Sequence, residues 1–361
     1  MNQLSLVFGV HCHQPVGQDP AIIERAADDF YLPFLKAMEE HPRFKFCAHF
    51  SGALLMQMEL IRPAWIDLVK LLIHRGQMEL LGGGIYEPVL MTLTESDRSG
   101  HIRRFSDYLQ RLFGPRGRPK GMWPAEQVWE PHFCGPLRDA DIRYVMLSGH
   151  HFTAAGVPAN SPAGTYQTED AGRMITIFPI DEELRTSILA NPVDDVQGYL
   201  ESRAANLRES SGSLLTLMSD GENFADRPGT TERRYDDGRL KKFLDAVERS
   251  DFLNPLTPSE WMSTHEPRAL VYIPTSAGHE ISERRGGWRS FLTEYPESNW
   301  MQKRVFLAAS KMGPVLEKLG ADREARAIRD LLDRAACNDP YWPGASGGLY
   351  LPHLLGENFE N

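Results

Sequence analysis

Apolar runs bounded by glycine and proline alternate along this chain with stretches whose apolar residues recur every three to four positions. Residues 4–10 are almost wholly apolar and end at His11, as expected of a strand buried on both faces. Residues 21–40 place Ile22, Ile23, Ala26, Phe30, Phe34, Leu35 and Met38 at helical spacing. Residues 44–50 read as a second strand. Residues 56–75 read as a helix broken near Pro63. A short strand at 78–81 runs into Gly82, Gly83 and Gly84. Residues 94–113 read as a helix opened by a Thr-x-x-Asp cap and closed by Gly114. Strands are also expected at 121–123, 143–147, 213–218 and 269–273, and a hairpin over 165–181 turning at Ala171-Gly172. After Pro274 the strand signal stops. A Gly/Arg-rich connection at 284–287 leads to amphipathic helices over 299–312 and 321–336.

Strand–helix alternation implies a parallel α/β sheet, and the number of repeats suits a closed or nearly closed barrel. A doubly wound open sheet is the alternative. We expect a catalytic unit over 1–283 and a small helical domain over 284–361. In either sheet topology, functional residues belong in loops after the strand C-termini. His11 and His13 follow the first strand, Glu126 the fourth, His150 and His151 the fifth, and Asp220 and Glu222 the strand over 213–218.

Two of these acids stand out. Glu126 lies in WPAEQVWEP (123–131) and Asp220 in SDGENF (219–224), each just past a short apolar run. Cleavage or transfer of a sugar bond needs such a pair, one ionised and one protonated. Taken singly, each has a plainer explanation. Glu126 fits a surface loop and Asp220 a DG turn. The alternating His11 and His13 also form a metal-ligand pattern. Glu79, inside an apolar strand, is costly unless paired.

Composition narrows the field. The chain has 361 residues and a formal charge of −10, which argues against a nucleic-acid partner. No apolar run is long enough to span a bilayer, and no export signal opens the chain. Four scattered cysteines without a CxxC pair read as reduced thiols, as in a cytoplasmic protein.

The ordered motifs resemble glycoside hydrolase family 57, and within it the 4-α-glucanotransferases and related α-amylases. HCHQP (11–15), GQMELLGGGIYEPVL (76–90), WPAEQVWEP and SDGENF are similar to the family's first four motifs, and VYIPTSAGHE (271–280) more weakly to the fifth. GGWRSFLTEYPESNWMQKR (286–304) and CNDPYWPGASGGLYLPHL (337–354) resemble the glucanotransferase branch.

The resemblance implies an incomplete (β/α)7 barrel, a helical domain completing the site, and retention through a covalent glycosyl-enzyme. It implies Glu126 as nucleophile and Asp220 as acid/base. It implies sugar contacts from His13, Glu79, Glu222 and Asp339, with His11 and Trp342 lining the pocket. The substrate implied is an α-1,4-glucan or maltooligosaccharide, with no cofactor and no catalytic metal.

Such a nucleophile must stay ionised, so donors are expected around Glu126, with the Trp123 indole and a protonated histidine as candidates. Asp220 must hold a proton, so an apolar setting or a neighbouring charge such as Glu222 is expected. The chain departs from the family at Gln127, at Ser148-Gly149-His150, at Arg227 and at Gly278. It ends at Asn361, where longer relatives continue into a β-sandwich. Two other classes stay open. One is a metal-dependent hydrolase or deacetylase using His11 and His13 with His151 and Asp220. The other is a glucan-binding protein without turnover.

Overall fold

The structure is a computed structural model that describes residues 3–158, 164–205, 213–224, 238–278, 281, 287–320, 322–342 and 348–354. Arg227 lies outside them. The strands are β1 (Leu4–Cys12), β2 (Phe46–Phe50), β3 (Met78–Gly82), β4 (Gly121–Met122), β5 (Tyr144–Ser148), β6 (Tyr166–Asp170), β7 (Arg173–Ile180), β8 (Ser213–Asp220) and β9 (Leu253–Pro255). Seven of them pair in parallel in the order β2-β3-β4-β5-β7-β8-β1, and a β1–β2 pairing closes the ring. The β7–β8 seam is thin, a single pair between Ile180 and Thr216. A barrel without sheet edges satisfies its own backbone.

Alternate side chains of the strands point inward. Val7, Cys47, Leu81, Tyr144, Met146, Phe178, Leu214 and Met218 fill the lumen as one buried cluster. Tyr144 fits there because Gly121 faces it, and a Cβ on Gly121 would lie 2.0 Å from the ring. Two larger apolar clusters pack the outer faces of the strands against the helices and connecting segments. This is the expected α/β barrel, and its lumen is a packed core.

The hairpin expected at Ala171-Gly172 is present, with β6 antiparallel to β7 and both turn residues at positive φ. The helix over 56–75 breaks as expected, into Gly52–Ile61 and Pro63–His74. The strand expected at 269–273 is not part of the barrel. That segment runs beside β6, with Gln167 N–H donating to the Ala269 carbonyl at 2.9 Å and the Gln167 carbonyl accepting from Val271 N–H at 2.8 Å, and leaves Leu270 61% and Tyr272 67% exposed. Its alternation marks an open edge. The barrel neighbour found instead is β9, which pairs with the first residues of β1.

The helices after the barrel span Pro296–Leu319 and Arg323–Ala335. They are fastened to the barrel's Glu95–Phe113 helix and to nearby loops. Arg104 holds Asp333 with two bonds of 2.6 Å, and Arg329 meets Asp97 at 3.1 Å. Tyr86 donates to Asp330 at 2.6 Å, and Gln302 to the Thr92 carbonyl at 2.8 Å. These contacts set the following turn, Asp339–Tyr341, against β1. All four cysteines are buried and free of disulfides. No helix among the described residues is long and apolar enough to cross a membrane.

Candidate active site

The C-terminal mouth of the barrel gathers the candidate residues. His11 sits near the end of β1, in register with His49 of β2 on one side and Asp220 of β8 on the other. Gly221 permits this closeness, because a Cβ there would lie 2.4 Å from Cys12 Sγ. The imidazole of His11 lies between the ring of His49 and the Trp123 indole, stacked at centroid distances of 5.0 and 5.2 Å.

A line of polar contacts runs outward from this ring. His11 Nδ1 lies 2.9 Å from His49 Nδ1, and His11 Nε2 lies 3.3 Å from Glu87. Glu87 also meets His13 Nδ1 at 2.8 Å, and His13 Nε2 meets Asp339 at 3.0 Å. Cys337 donates its S–H to Asp339 at 2.8 Å. Burial alone would push His13 down, but Asp339 and Glu87, one on each ring nitrogen, hold it well above the usual histidine range. Burial likewise opposes the charge on Glu87 and Asp339, yet the histidines keep both carboxyls below their ordinary values. Burial lowers His49 to about 3, so this histidine stays neutral. The group therefore carries an imidazolium between two carboxylates, a charge pattern suited to sugar hydroxyls.

Glu126 stands beside this group on strained backbone. It and Gln127 both adopt left-handed φ values, 55° and 51°, and Glu87 does the same at 55°. Non-glycine residues seldom take this conformation, at a cost of about 1–3 kcal/mol each. The neighbourhood enforces it. Gly278 N–H donates to the Glu126 carbonyl at 2.8 Å, and the Gln127 side chain accepts from Ser148 N–H at 2.7 Å. The Glu126 carboxyl is pushed up to about 7, by burial first and then by Glu87 and Asp339, while His13 opposes the rise.

Glu126 and Asp220 line one cleft of about 570 Å³ together with His11 and Trp123, a size within the ~300–1,000 Å³ of small-molecule sites. Asp220 is exposed there rather than set in the apolar surroundings expected for it. Glu222 points away to accept from Tyr31 OH at 2.5 Å, and burial raises its carboxyl. Trp342 donates to Asn338 at 2.5 Å and packs on Phe291 at 4.6 Å. Asn338 in turn donates to the Glu87 carbonyl.

Glu79 does not join this group. It is the second residue of β3, at the opposite, N-terminal end of the barrel. There it accepts from Tyr144 OH at 2.7 Å and from Ser259, at 2.9 Å from N–H and 2.6 Å from the hydroxyl. The acid that the GGGIYEP motif delivers to the mouth is Glu87, eight positions later in a loop past the strand. His49 was also missed, although a histidine one residue before a strand end was a legible sign.

The four-ligand metal set of His11, His13, His151 and Asp220 does not assemble. His151 is wholly buried, with its ring nitrogens 3.2 Å from the Ser148 and Gln127 carbonyls. Among the described residues, His11, His49 and Glu87 bring ligand atoms within 4.8 Å of one another.

Residues 7–274 match the model of glycosyl hydrolase family 57, and residues 286–361 match the alpha-amylase/4-alpha-glucanotransferase middle domain. The chain is 36% identical to a 4-alpha-glucanotransferase of Thermococcus litoralis, over 100% of this chain and 57% of that protein. It is 37% identical to an alpha-amylase of Pyrococcus horikoshii, over 98% of this chain and 58% of that one. It thus spans little more than half the length of these curated relatives. The crystal structure of the T. litoralis enzyme superposes with a TM-score of 0.90 at 36% identity, covering 100% of this chain and 59% of that one. A branching enzyme of P. horikoshii shares the fold at a TM-score of 0.80 and 14% identity, over 99% of this chain and 88% of that chain. With the family model matched over residues 7–274, most of the chain, and with motif and barrel in agreement, the chain belongs to glycosyl hydrolase family 57.

Proposed function

We propose that this chain carries the catalytic site of a retaining enzyme acting on α-1,4-glucans, a 4-α-glucanotransferase or an α-amylase. Glu126 attacks the anomeric carbon, and Asp220 protonates the departing glycosidic oxygen. The same aspartate then takes the proton of the incoming hydroxyl, which displaces Glu126 and restores the configuration. The sugar at the cleaved bond is held by His11, His13, Glu87 and Asp339. Trp123 and Trp342 offer aromatic faces. The barrel over residues 1–283 bears both acids, and the unit over 284–361 supplies Asp339 and Trp342.

The observation that carries the proposal is the meeting of Glu126 and Asp220 in one cleft beside a buried imidazolium. The ionised form of Glu126 is the one that attacks carbon, and with the carboxyl raised to about 7 that form is present near neutral pH and is drawn out further by the developing positive charge of the transition state. A water-accessible cleft admits both water and a sugar hydroxyl, and we favour the sugar. Incubation with maltotriose tests this. Glucose together with products longer than maltotriose identifies transfer, and shortened products alone identify an amylase. Binding of maltotriose without turnover would contradict the proposal.

A further inference from the structure

The segment WPAEQVWEP carries a second acid, Glu130, four residues past Glu126 and only 6% exposed. A buried carboxylate is costly unless donors meet its oxygens. Thr275 Oγ1 donates to one Glu130 oxygen at 2.6 Å. Trp288 Nε1 donates to the other at 3.1 Å, and Arg289 Nη1 meets that same oxygen at 2.6 Å. The Arg289 guanidinium also lies over the Trp288 indole, 4.0 Å from its centroid. Burial alone would raise the Glu130 carboxyl, but Thr275, Arg289 and Trp288 hold it below its ordinary range. Glu130 thus stays ionised, whereas Glu126 is raised to about 7.

These partners come from two places. Thr275 belongs to the segment 273–278, which runs antiparallel to 126–130. Trp129 N–H donates to the Ser276 carbonyl at 2.8 Å, and Ser276 N–H donates back to the Trp129 carbonyl at 3.1 Å. The Trp129 indole donates to the Ile273 carbonyl at 3.2 Å. Farther along, Gly278 N–H reaches the Glu126 carbonyl at 2.8 Å. The register of this short ladder sets Thr275 opposite Glu130. Trp288 and Arg289 lie instead in the turn Gly287–Arg289, which leads into the helices after the barrel. Trp129, Ile273, Ala277, Trp288 and Phe291 share one buried apolar cluster. Glu130 therefore closes one end of a ladder whose other end holds the backbone of Glu126. The left-handed conformation of Glu126 and Gln127 persists only where such surroundings enforce it.

We infer that Glu130 is a positioning residue for Glu126. Gripping Thr275 on one side and Trp288 and Arg289 on the other, it presses the segment 273–278 against the nucleophile's loop and makes the turn at 287–289 part of that loop's support. The inference rests on the catalytic reading above, in which Glu126 attacks the sugar. Its effect belongs to the attack itself. Binding of the sugar depends on His11, His13, Glu87 and Asp339, which are held by contacts of their own.

The test separates attack from binding. The time course of covalent labelling by 5-fluoro-α-glucosyl fluoride, followed at several reagent concentrations, gives a rate constant for attack and a half-saturating concentration. Glu130→Gln keeps the shape and removes the charge, and Thr275→Val removes only the hydroxyl. Glu130→Gln is expected to lower the rate constant on the order of tenfold, the loss of about one hydrogen bond to a charged group. Thr275→Val lowers it less, Thr275→Ser restores it, and the half-saturating concentration stays within about twofold of wild type in all three. Circular dichroism and a thermal midpoint well above the assay temperature establish that each variant is folded. If Glu130→Gln fails to fold, the Thr275→Val and Thr275→Ser pair decides. A rate constant within about twofold of wild type in the folded variants overturns the inference, even if their thermal midpoints fall. So does a change confined to the half-saturating concentration, or an equal loss in Thr275→Val and Thr275→Ser. A wild-type label on a residue other than Glu126 brings down the catalytic reading and this inference with it, whereas a label on Glu126 formed at unchanged rates in the variants brings down this inference alone.

Discussion

Two glutamates eight residues apart, Glu79 and Glu87, show how differently the two ends of this barrel are built. At the N-terminal end Glu79 is satisfied by three neutral donors, the Tyr144 hydroxyl and the backbone and hydroxyl of Ser259, on regular strand and helix geometry. At the C-terminal end Glu87 sits in left-handed backbone, 4% exposed, against two histidines. The first end is a joint. The second stores strain, buried charge and a half-titrated acid, which are costs that a fold accepts where it must act on a ligand.

The sharpest way to break this contrast is to neutralise the acids at the working end. Glu126→Gln and Asp220→Asn are each expected to lower turnover of maltooligosaccharides by on the order of 10³-fold or more while the far-ultraviolet circular dichroism stays that of wild type. Near-normal rates in either would remove the proposed roles.

Glu87→Gln comes next. It leaves His13 facing Asp339 alone in a buried setting, at a cost of about 3 kcal/mol in stability, and it lowers turnover as well. Denaturant unfolding and initial rates check both effects.

Glu126→Gln has a further consequence through linkage. The folded-state pKa of Glu126 is raised from 4.5 to about 7. Between those values the native protein holds a proton that the unfolded chain has released, so wild-type stability falls as pH rises through this window. Glutamine removes the penalty. We therefore expect the variant's unfolding free energy to draw ahead of wild type between pH 4.5 and 7, by about 3 kcal/mol at pH 8, an order-of-magnitude figure from the size of the shift. A constant gap across that range would show that the carboxyl is not perturbed.

Glu79→Gln should do least. Glutamine retains an acceptor for Tyr144 or Ser259, so a stability loss of about 1 kcal/mol is expected, with kcat/KM for maltotriose close to wild type. A large rise in KM would return Glu79 to the sugar site and collapse the contrast.

Much of the barrel was legible because apolar runs with glycine or proline boundaries leave few alternatives. Glu126 and Asp220 drew notice because each lies just past such a run, and the structure sets both on one cleft. Glu79 misled for a physical reason. Functional groups of a parallel barrel belong after strand C-termini, and Glu79 opens its strand whereas Glu87 follows it. Applied strictly, that rule would have preferred Glu87. The segment 269–273 misled because alternation marks a half-buried strand without saying which sheet it joins. Nothing in the sequence announces Glu182 and Arg185, which line the cleft of Glu126 and Asp220 from the Glu182–Ala190 helix. Nor does periodicity report the positive φ at Glu126 and Gln127.

The central claim is that Glu126 becomes covalently joined to the sugar. Reaction with 5-fluoro-α-glucosyl fluoride, followed by proteolysis and mass spectrometry, tests it directly. We expect one glucosyl adduct, on Glu126 within the peptide WPAEQVWEP, and none in the Glu126→Gln variant. An adduct on another residue, or none from protein that turns over glucan, would contradict it.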